Sequence, residues 1–360
     1  MNEKGYKAYN PGLICQGHKY EEDTVYKKNG HGICCSGVTH YCVNPFDTLD
    51  HYPLIQPDGQ FSEFTTVEAI DEPTTDDGRK FATSTIKIGF KLGFKGFIQA
   101  CIDFLYEQTI KEMPNPADVD VSDSAQIGSS GYCAKIDSSG GSAQIGSSGD
   151  YAQIGSSGDY AQIGSSGGSA QIGSSGGYAK IGSSGGSAKI GSSGDSAKIG
   201  SSGDSAKIGS SGYAAQIGSS GYAAQIGSSG NYAQIGSSGN YAQIGSSGNS
   251  AQIGSSGNAA QIGSSGNSAQ IGSSGNYAKI GSSGYAAKIT IEAANNVVAC
   301  IGKRGRIKAP VGTWCTLAEY GEWDGRGHPC ICVKSFQIDG EKYKADVWLT
   351  LKGGEVVEVE

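Results

Sequence analysis

Cysteine and histidine gather at two places in the chain. Cys34, Cys35, His40 and Cys42 fall close together near the start, and His328, Cys330 and Cys332 form HPCIC near the end. Thiolates and imidazoles are zinc ligands, commonly arranged as two closely spaced pairs. The candidate ligands are therefore Cys35, His40, Cys42, His328, Cys330 and Cys332. Neither group carries the usual C-x2-C knuckle, so buried thiols are the expectation and no metal is assigned. Cys42 with His40 would be the natural nucleophile and base, yet no third residue is identifiable to orient them. No Walker loop and no GxGxxG is present, so no catalytic residue and no cofactor is assigned.

The elements that would have to position such groups are unusual. The chain has 360 residues, of which 59 are glycine. Isoleucine recurs every nine residues from Ile127 to Ile289 without a slip, marking 19 units. Each unit reads as two variable residues, Ala, Gln or Lys, Ile, and Gly-Ser-Ser-Gly; Asp137 replaces the first glycine once. Ala-polar-Ile has period two, which in a strand sends Ala and Ile to one side and Gln or Lys to the other. Gly-Ser-Ser-Gly is read as the corner. One unit cannot bury its isoleucine alone, whereas stacked units can. A disordered linker would have no use for a buried-type residue at fixed phase.

The fold class expected is mainly β: a parallel β-solenoid with an α+β N-terminal domain and a β-rich C-terminal cap. A thin core of Ala and Ile suits a two-sided coil of 18 residues; a three-sided coil of 27 is the alternative. The 19 units would then make about nine and a half coils, roughly 45 Å long at strand spacing. Ile127, Ile154, Ile181, Ile208, Ile235, Ile262 and Ile289 represent the core. In a two-sided coil Lys180 stacks on Lys198, and Lys189 on Lys207. The nonapeptide shares period and glycine with calcium-binding rolls but lacks their aspartate, so no calcium is expected.

The domains expected are 1–120, the solenoid 121–292, and the cap 293–360. In the first, Arg79 to Leu92 reads as one strand and Asn44-Pro45 as a turn before a helical turn. Phe97, Cys101, Phe104 and Leu105 fall at helical spacing in a helix from Gly96, ended by Pro114. Open solenoid ends aggregate unless covered. This helix is the expected cap at one end, and the segment with Trp314 and Leu317 at the other. Ile289, Ile291, Val297 and Ile301 extend the core, and Asp339-Gly340 suggests a hairpin.

The formal net charge of −7 argues against a basic nucleic-acid face. No apolar run approaches the ~20 residues of a membrane span. Ten cysteines without a secretion signal fit reduced thiols in a cytoplasm.

KGYKAYNPGLICQGHKYEEDTVY, VTHYCVNPFDTLDHYPL and the C-terminal TWCTLAEY and VKSFQIDGEKYKADVWLTLKGGE resemble an uncharacterised family of proteins from phages and gut bacteria. In that family similar end segments flank a repetitive middle. The resemblance implies a phage or mobile-element setting, a solenoid, and location in a bacterial cytoplasm or on a virion. It carries no activity to any residue here. Three readings follow. The first is a structural or interaction rod with a globular head, engaging a protein partner or itself. The second is a ligand-binding or enzymatic head on a solenoid scaffold. The third is a phage counter-defence protein that captures a host component.

Overall fold

The computed structural model describes residues 3–30, 32, 37–56, 59–110 and 124–360. The head is a seven-stranded antiparallel sheet. Its strands are β1 (Glu3–Tyr9), β4 (Thr24–Lys27), β5 (Thr39–Cys42), β6 (Glu63–Ala69), β7 (Thr74–Thr75), β8 (Lys80–Thr83) and β9 (Thr85–Leu92), in the order β4-β9-β6-β1-β5-β8-β7. A small hairpin, β2 (Ile14–Cys15) and β3 (His18–Lys19), sits beside it. The stretch Arg79 to Leu92, expected as one strand, is divided at Ser84: β8 pairs with β5 and β7, and β9 with β4 and β6. Pro45–Asp50 forms the helical turn expected there, as a 3-10 helix whose cap Asn44 accepts from the Phe46 N–H.

Each side of this sheet buries its own cluster. Tyr9, Tyr41, Val67, Ile86 and Ile88 pack on one side with Leu13 and Tyr20 of the hairpin region. Phe64, Phe46 and Leu54 pack on the other with Phe97, Ile98, Cys101 and Leu105. The last four belong to α1 (Phe94–Ile110).

The repeat forms a two-sided parallel β-solenoid with 18 residues per coil, pairing Ile127 with Ile145 and Ile136 with Ile154. Each unit gives one four-residue strand, from β10 (Gln126–Ser129) to β28 (Lys288–Ile291), and successive strands alternate between two sheets. Alanine and isoleucine face inward and are buried from Ile136 to Ile289, whereas Ile127 of the first coil is only partly covered. Lys180 stacks on Lys198 and Lys189 on Lys207.

The strand is longer than Ala-polar-Ile. It runs Gln-Ile-Gly-Ser, so the first glycine points out and the first serine points in, and the corner begins only at the second serine. Alternation simply continues through two residues small enough for either structure. The second glycine is obligatory for a different reason: a side chain on Gly158 would overlap the Gly140 carbonyl oxygen of the coil beneath.

Corners change type along the rod. Up to about Gly230 the second glycine in nearly every unit donates its N–H to the inward serine two residues earlier, as Gly158 does to Ser156 Oγ at 3.4 Å. From Tyr232 onward the second variable residue has positive φ, as at Tyr232, Tyr241 and Ser250. There Asn replaces Gly or Asp before it, and its side chain accepts from the coil above: Asn249 N–H to Asn231 Oδ1 at 2.8 Å, Asn267 N–H to Asn249 Oδ1 at 2.9 Å. Asparagine tolerates and precedes such turns because its amide can replace a backbone acceptor.

The rod outlasts the repeat. β29 (Val297–Cys300), β30 (Arg306–Lys308) and β31 (Trp314–Tyr320) continue both sheets, giving eleven parallel strands in each rather than nine and a half coils. Antiparallel strands then close it: β32 (Cys330–Gln337) on β31, β33 (Trp348–Lys352) on β30, and β34 (Glu355–Val359) on β33. Ile291 is inside as expected. Val297 and Ile301 are not, because Val297 is in register with Lys279; Val298 and Cys300 take the inward sites. The hairpin turns at Gly353-Gly354, where both φ are positive, and not at Asp339-Gly340, which lies on the link between the two sheets.

Candidate functional site

The two outward faces of the rod have the same chemistry and different occupants. Each shows a column of Gln or Lys beside a column of glycine. On one face the head is docked. Ile102 and Leu105 lie over Gly164, Phe46 and Ile98 over Gly182, Phe94 and Ile98 over Gly200, and Leu54, Phe61 and Phe94 over Gly218. Glycine leaves a trough, and apolar side chains of α1 and its neighbours fill it. Some polar groups beside the trough are paired across it. Asn44 Nδ2 donates to Gln162 Oε1 at 3.0 Å, and the Leu54 N–H to Gln216 Oε1 at 3.2 Å.

Two lysines of consecutive coils anchor the dock. Lys180 is 7% exposed, donates to the Phe46 carbonyl at 3.3 Å, and meets Asp50 at 3.0 Å and Asp47 at 3.7 Å. Lys198 donates to the Leu49 carbonyl and lies 3.8 Å from Asp50. Arg79 completes the cluster, 2.6 Å from both aspartates. Burial raises the Asp50 pKa, but Lys180 first, then Lys198 and Arg79, outweigh it and leave the group below its ordinary value. Burial lowers Lys198, with Asp50 opposing.

This arrangement corrects the capping expectation. α1 starts at Phe94 and crosses the flank of the first coils instead of covering their open end. Phe97, Cys101 and Leu105 are fully buried in the seam with the sheet, and Phe104 lines a side cavity with Tyr160 and Tyr178. An end cap would have to meet the unpaired edge of β10; α1 meets outward glycines because its stripe matches their column. At the other end Leu317 is buried inside the last coil. Trp314 is 51% exposed, since its register with Val297 turns it outward.

Among the described residues nothing covers the opposite face. Lys135, Gln153, Gln171, Lys189, Lys207, Gln225, Gln243, Gln261 and Lys279 edge a trough of about 1320 Å³ floored by glycine. From Gly173 to Gly281 the first glycines on this face would meet nothing within 4 Å if given a side chain, and none has positive φ. Neither packing nor backbone conformation requires glycine there.

The candidate metal ligands are dispersed. Cys35 lies outside the described residues. His40 and Cys42 are on β5; Cys42 is buried, and desolvation, then Asp47 and Asp50, push its thiol up to about 12. His328 packs against Trp323, with Nδ1 2.8 Å from Lys303 Nζ. Cys330 is exposed and Cys332 half-buried. Among the described residues no three His, Cys, Asp or Glu side chains gather as a metal site. No described helix is long and apolar enough to cross a membrane. Reading the sequence for motifs missed Asp47, Asp50 and Arg79, which carry no motif, and did not pair Lys180 with them. The signal available was that Lys180 and Lys198 fall one coil apart.

No curated protein and no solved structure matches the chain. Residues 3–100 are similar to a family model described as a domain of unknown function (DUF7666).

Proposed function

We propose that this protein is a non-enzymatic interaction scaffold whose open face docks a segment of a partner protein. One observation carries the reading: the trough that the head fills on one face is repeated, with its lysines, on the other, where no described residue covers it. The head is the template for the occupant. It supplies apolar side chains to the glycine column and carboxylates to the lysine pair, so the partner segment would place apolar groups over Gly191 and Gly209 and acids on Lys189 and Lys207. The charge of the face argues against a second copy docking through the same surface. It carries Lys135, Lys189, Lys207 and Lys279 against Asp137 alone, and like charges brought together destabilise an interface. A flat glycine floor also costs strand stability, by about 0.5–1 kcal/mol per glycine relative to alanine. That cost is understandable if a partner occupies the floor. A phage or mobile-element setting, and a bacterial host as the source of the partner, rest on the likeness of the flanking segments.

The test is comparative capture from bacterial lysate by the full chain. Proteins held by the natural sequence should be lost with Gly209→Val and with Lys207→Glu, and retained with Tyr241→Ala at a corner. If both open-face variants capture the same proteins as the natural sequence, the face is not the docking surface.

A further inference from the structure

A second site lies within the head, away from the rod's open face. Between β1, β5, the β2–β3 hairpin and the 3-10 helix is a cavity of about 520 Å³, within the ordinary range for small-molecule sites. Its wall is rich in cations. Lys7 is 5% exposed, and its ammonium donates to the His40 carbonyl at 3.0 Å and to Cys15 Sγ at 3.4 Å, with the Tyr9 and Tyr20 rings at 5.4 and 5.6 Å. Lys28 donates to Tyr20 Oη at 3.3 Å and to the Val38 carbonyl at 3.4 Å. Neither ammonium forms an ion pair with a carboxylate among the described residues, whereas Lys180, which is as deeply buried as Lys7, has one. Lys80 and His51 line the same space. The one acid on the wall, Asp50, is engaged by Lys180 and Arg79.

A buried ammonium left without a counter-charge is costly, and carbonyl, thiol and π contacts offset only part of that cost. An ammonium has three protons to donate, and Lys7 places two on the protein. Burial first, then Lys80, lowers the His51 pKa, with Asp50 opposing. Tyr20, Tyr41 and Tyr52 also line the cavity.

We infer that this cavity binds a small organic oxyanion, its phosphate or carboxylate paired with Lys7 and Lys28 and its planar body lying against the tyrosines. Cys15 reports occupancy, because its thiol accepts from the Lys7 ammonium and lines the same cavity. Calorimetric titration of the full chain with AMP, inorganic phosphate, benzoate and adenosine tests the inference. Saturable binding of AMP, competed by phosphate, assigns a phosphate ligand, and binding of benzoate alone assigns a carboxylate; adenosine should not bind. Lys7→Met should weaken binding by about 10-fold or more, the loss of a charged hydrogen bond. Should that variant misfold by circular dichroism, the natural chain still decides: the binding anion must slow iodoacetamide labelling of Cys15 several-fold, read by peptide mass spectrometry. Adenosine binding as well as AMP, absence of saturable binding by every anion, or unchanged Cys15 labelling would each overturn it.

Discussion

Replacing one glycine by valine on each face separates the two faces by stability. On the covered face a Cβ at Gly218 would sit 3.0 Å from Phe94 Cζ and 3.1 Å from both Leu54 Cδ2 and Phe61 Cε1. Valine adds two methyl groups beyond that Cβ, into a seam with no space for them. Overpacking of this kind costs about 1–3 kcal/mol. On the open face Gly209 would meet nothing within 4 Å. There valine should be neutral or stabilising by up to ~1 kcal/mol, because a β-branched residue suits a strand better than glycine. Cys101 reads the difference, since it is fully buried on the inward face of α1 and reacts only when the head lifts or unfolds. Gly218→Val should speed its alkylation by about 5- to 150-fold, the same energies expressed as an opening equilibrium. Gly209→Val should leave the rate unchanged or lower it. Equal acceleration by both variants would refute the assignment of a covered and an open face.

Ile208→Ala should lower rod stability in urea by about 2–5 kcal/mol, while Gln225→Ala on the outward side should stay within about 0.5 kcal/mol. Asn249→Ala removes the acceptor for the Asn267 N–H and should cost about 1 kcal/mol in the same assay, whereas Ser187→Ala, in the earlier corner type, should cost little. The Asp50 pKa is depressed in the folded protein, so its contribution is complete above the unfolded value of about 3.9 and is lost as pH falls through the lower folded value. Pepsin cleavage of the head should accordingly be slow near pH 5 and rise below about pH 4, with Asp50→Asn cleaved faster at the higher pH and showing a shallower rise. A chain ending at Thr313 lacks β31 to β34 and leaves sheet edges unpaired; it should elute as aggregates in size-exclusion chromatography, where a soluble monomer would show the closing strands to be dispensable.

Periodic features were legible in the sequence, and features set by docking were not. The nine-residue phase of isoleucine gave the strand count of the repeat and the inward face, because burial in a strand has a period of two and stacking demands identical rungs, while the thin core of Ala and Ile favoured the 18-residue coil over the 27-residue alternative. The role of the first glycine was misread. Read as a corner residue for its conformational freedom, it is an outward strand residue whose value is the absence of a side chain. The same error displaced α1: Phe97, Cys101 and Leu105 do form an apolar stripe, but amphipathicity says only that a face is buried, and here the partner is a flank. Val297 and Ile301 show a further limit, since alternation continued past the repeat with its phase reset. The Asp47–Asp50–Arg79–Lys180 cluster joins positions more than a hundred residues apart, and nothing local in the sequence marks such a pairing.

Four lysines in nearly identical sequence contexts provide the most direct test. Lys180, Lys189, Lys198 and Lys207 occupy the same place in consecutive units, so their intrinsic reactivity is the same. Lys180 and Lys198 lie under the head, and Lys189 and Lys207 lie on the open face. Brief acetylation of the native chain, read lysine by lysine in mass spectrometry, should modify Lys189 and Lys207 and spare Lys180 and Lys198, with the difference abolished in denaturant. Uniform modification of all four in the native chain, or a pattern that does not alternate with the nine-residue unit, would contradict a two-sided rod with one face occupied by its own head.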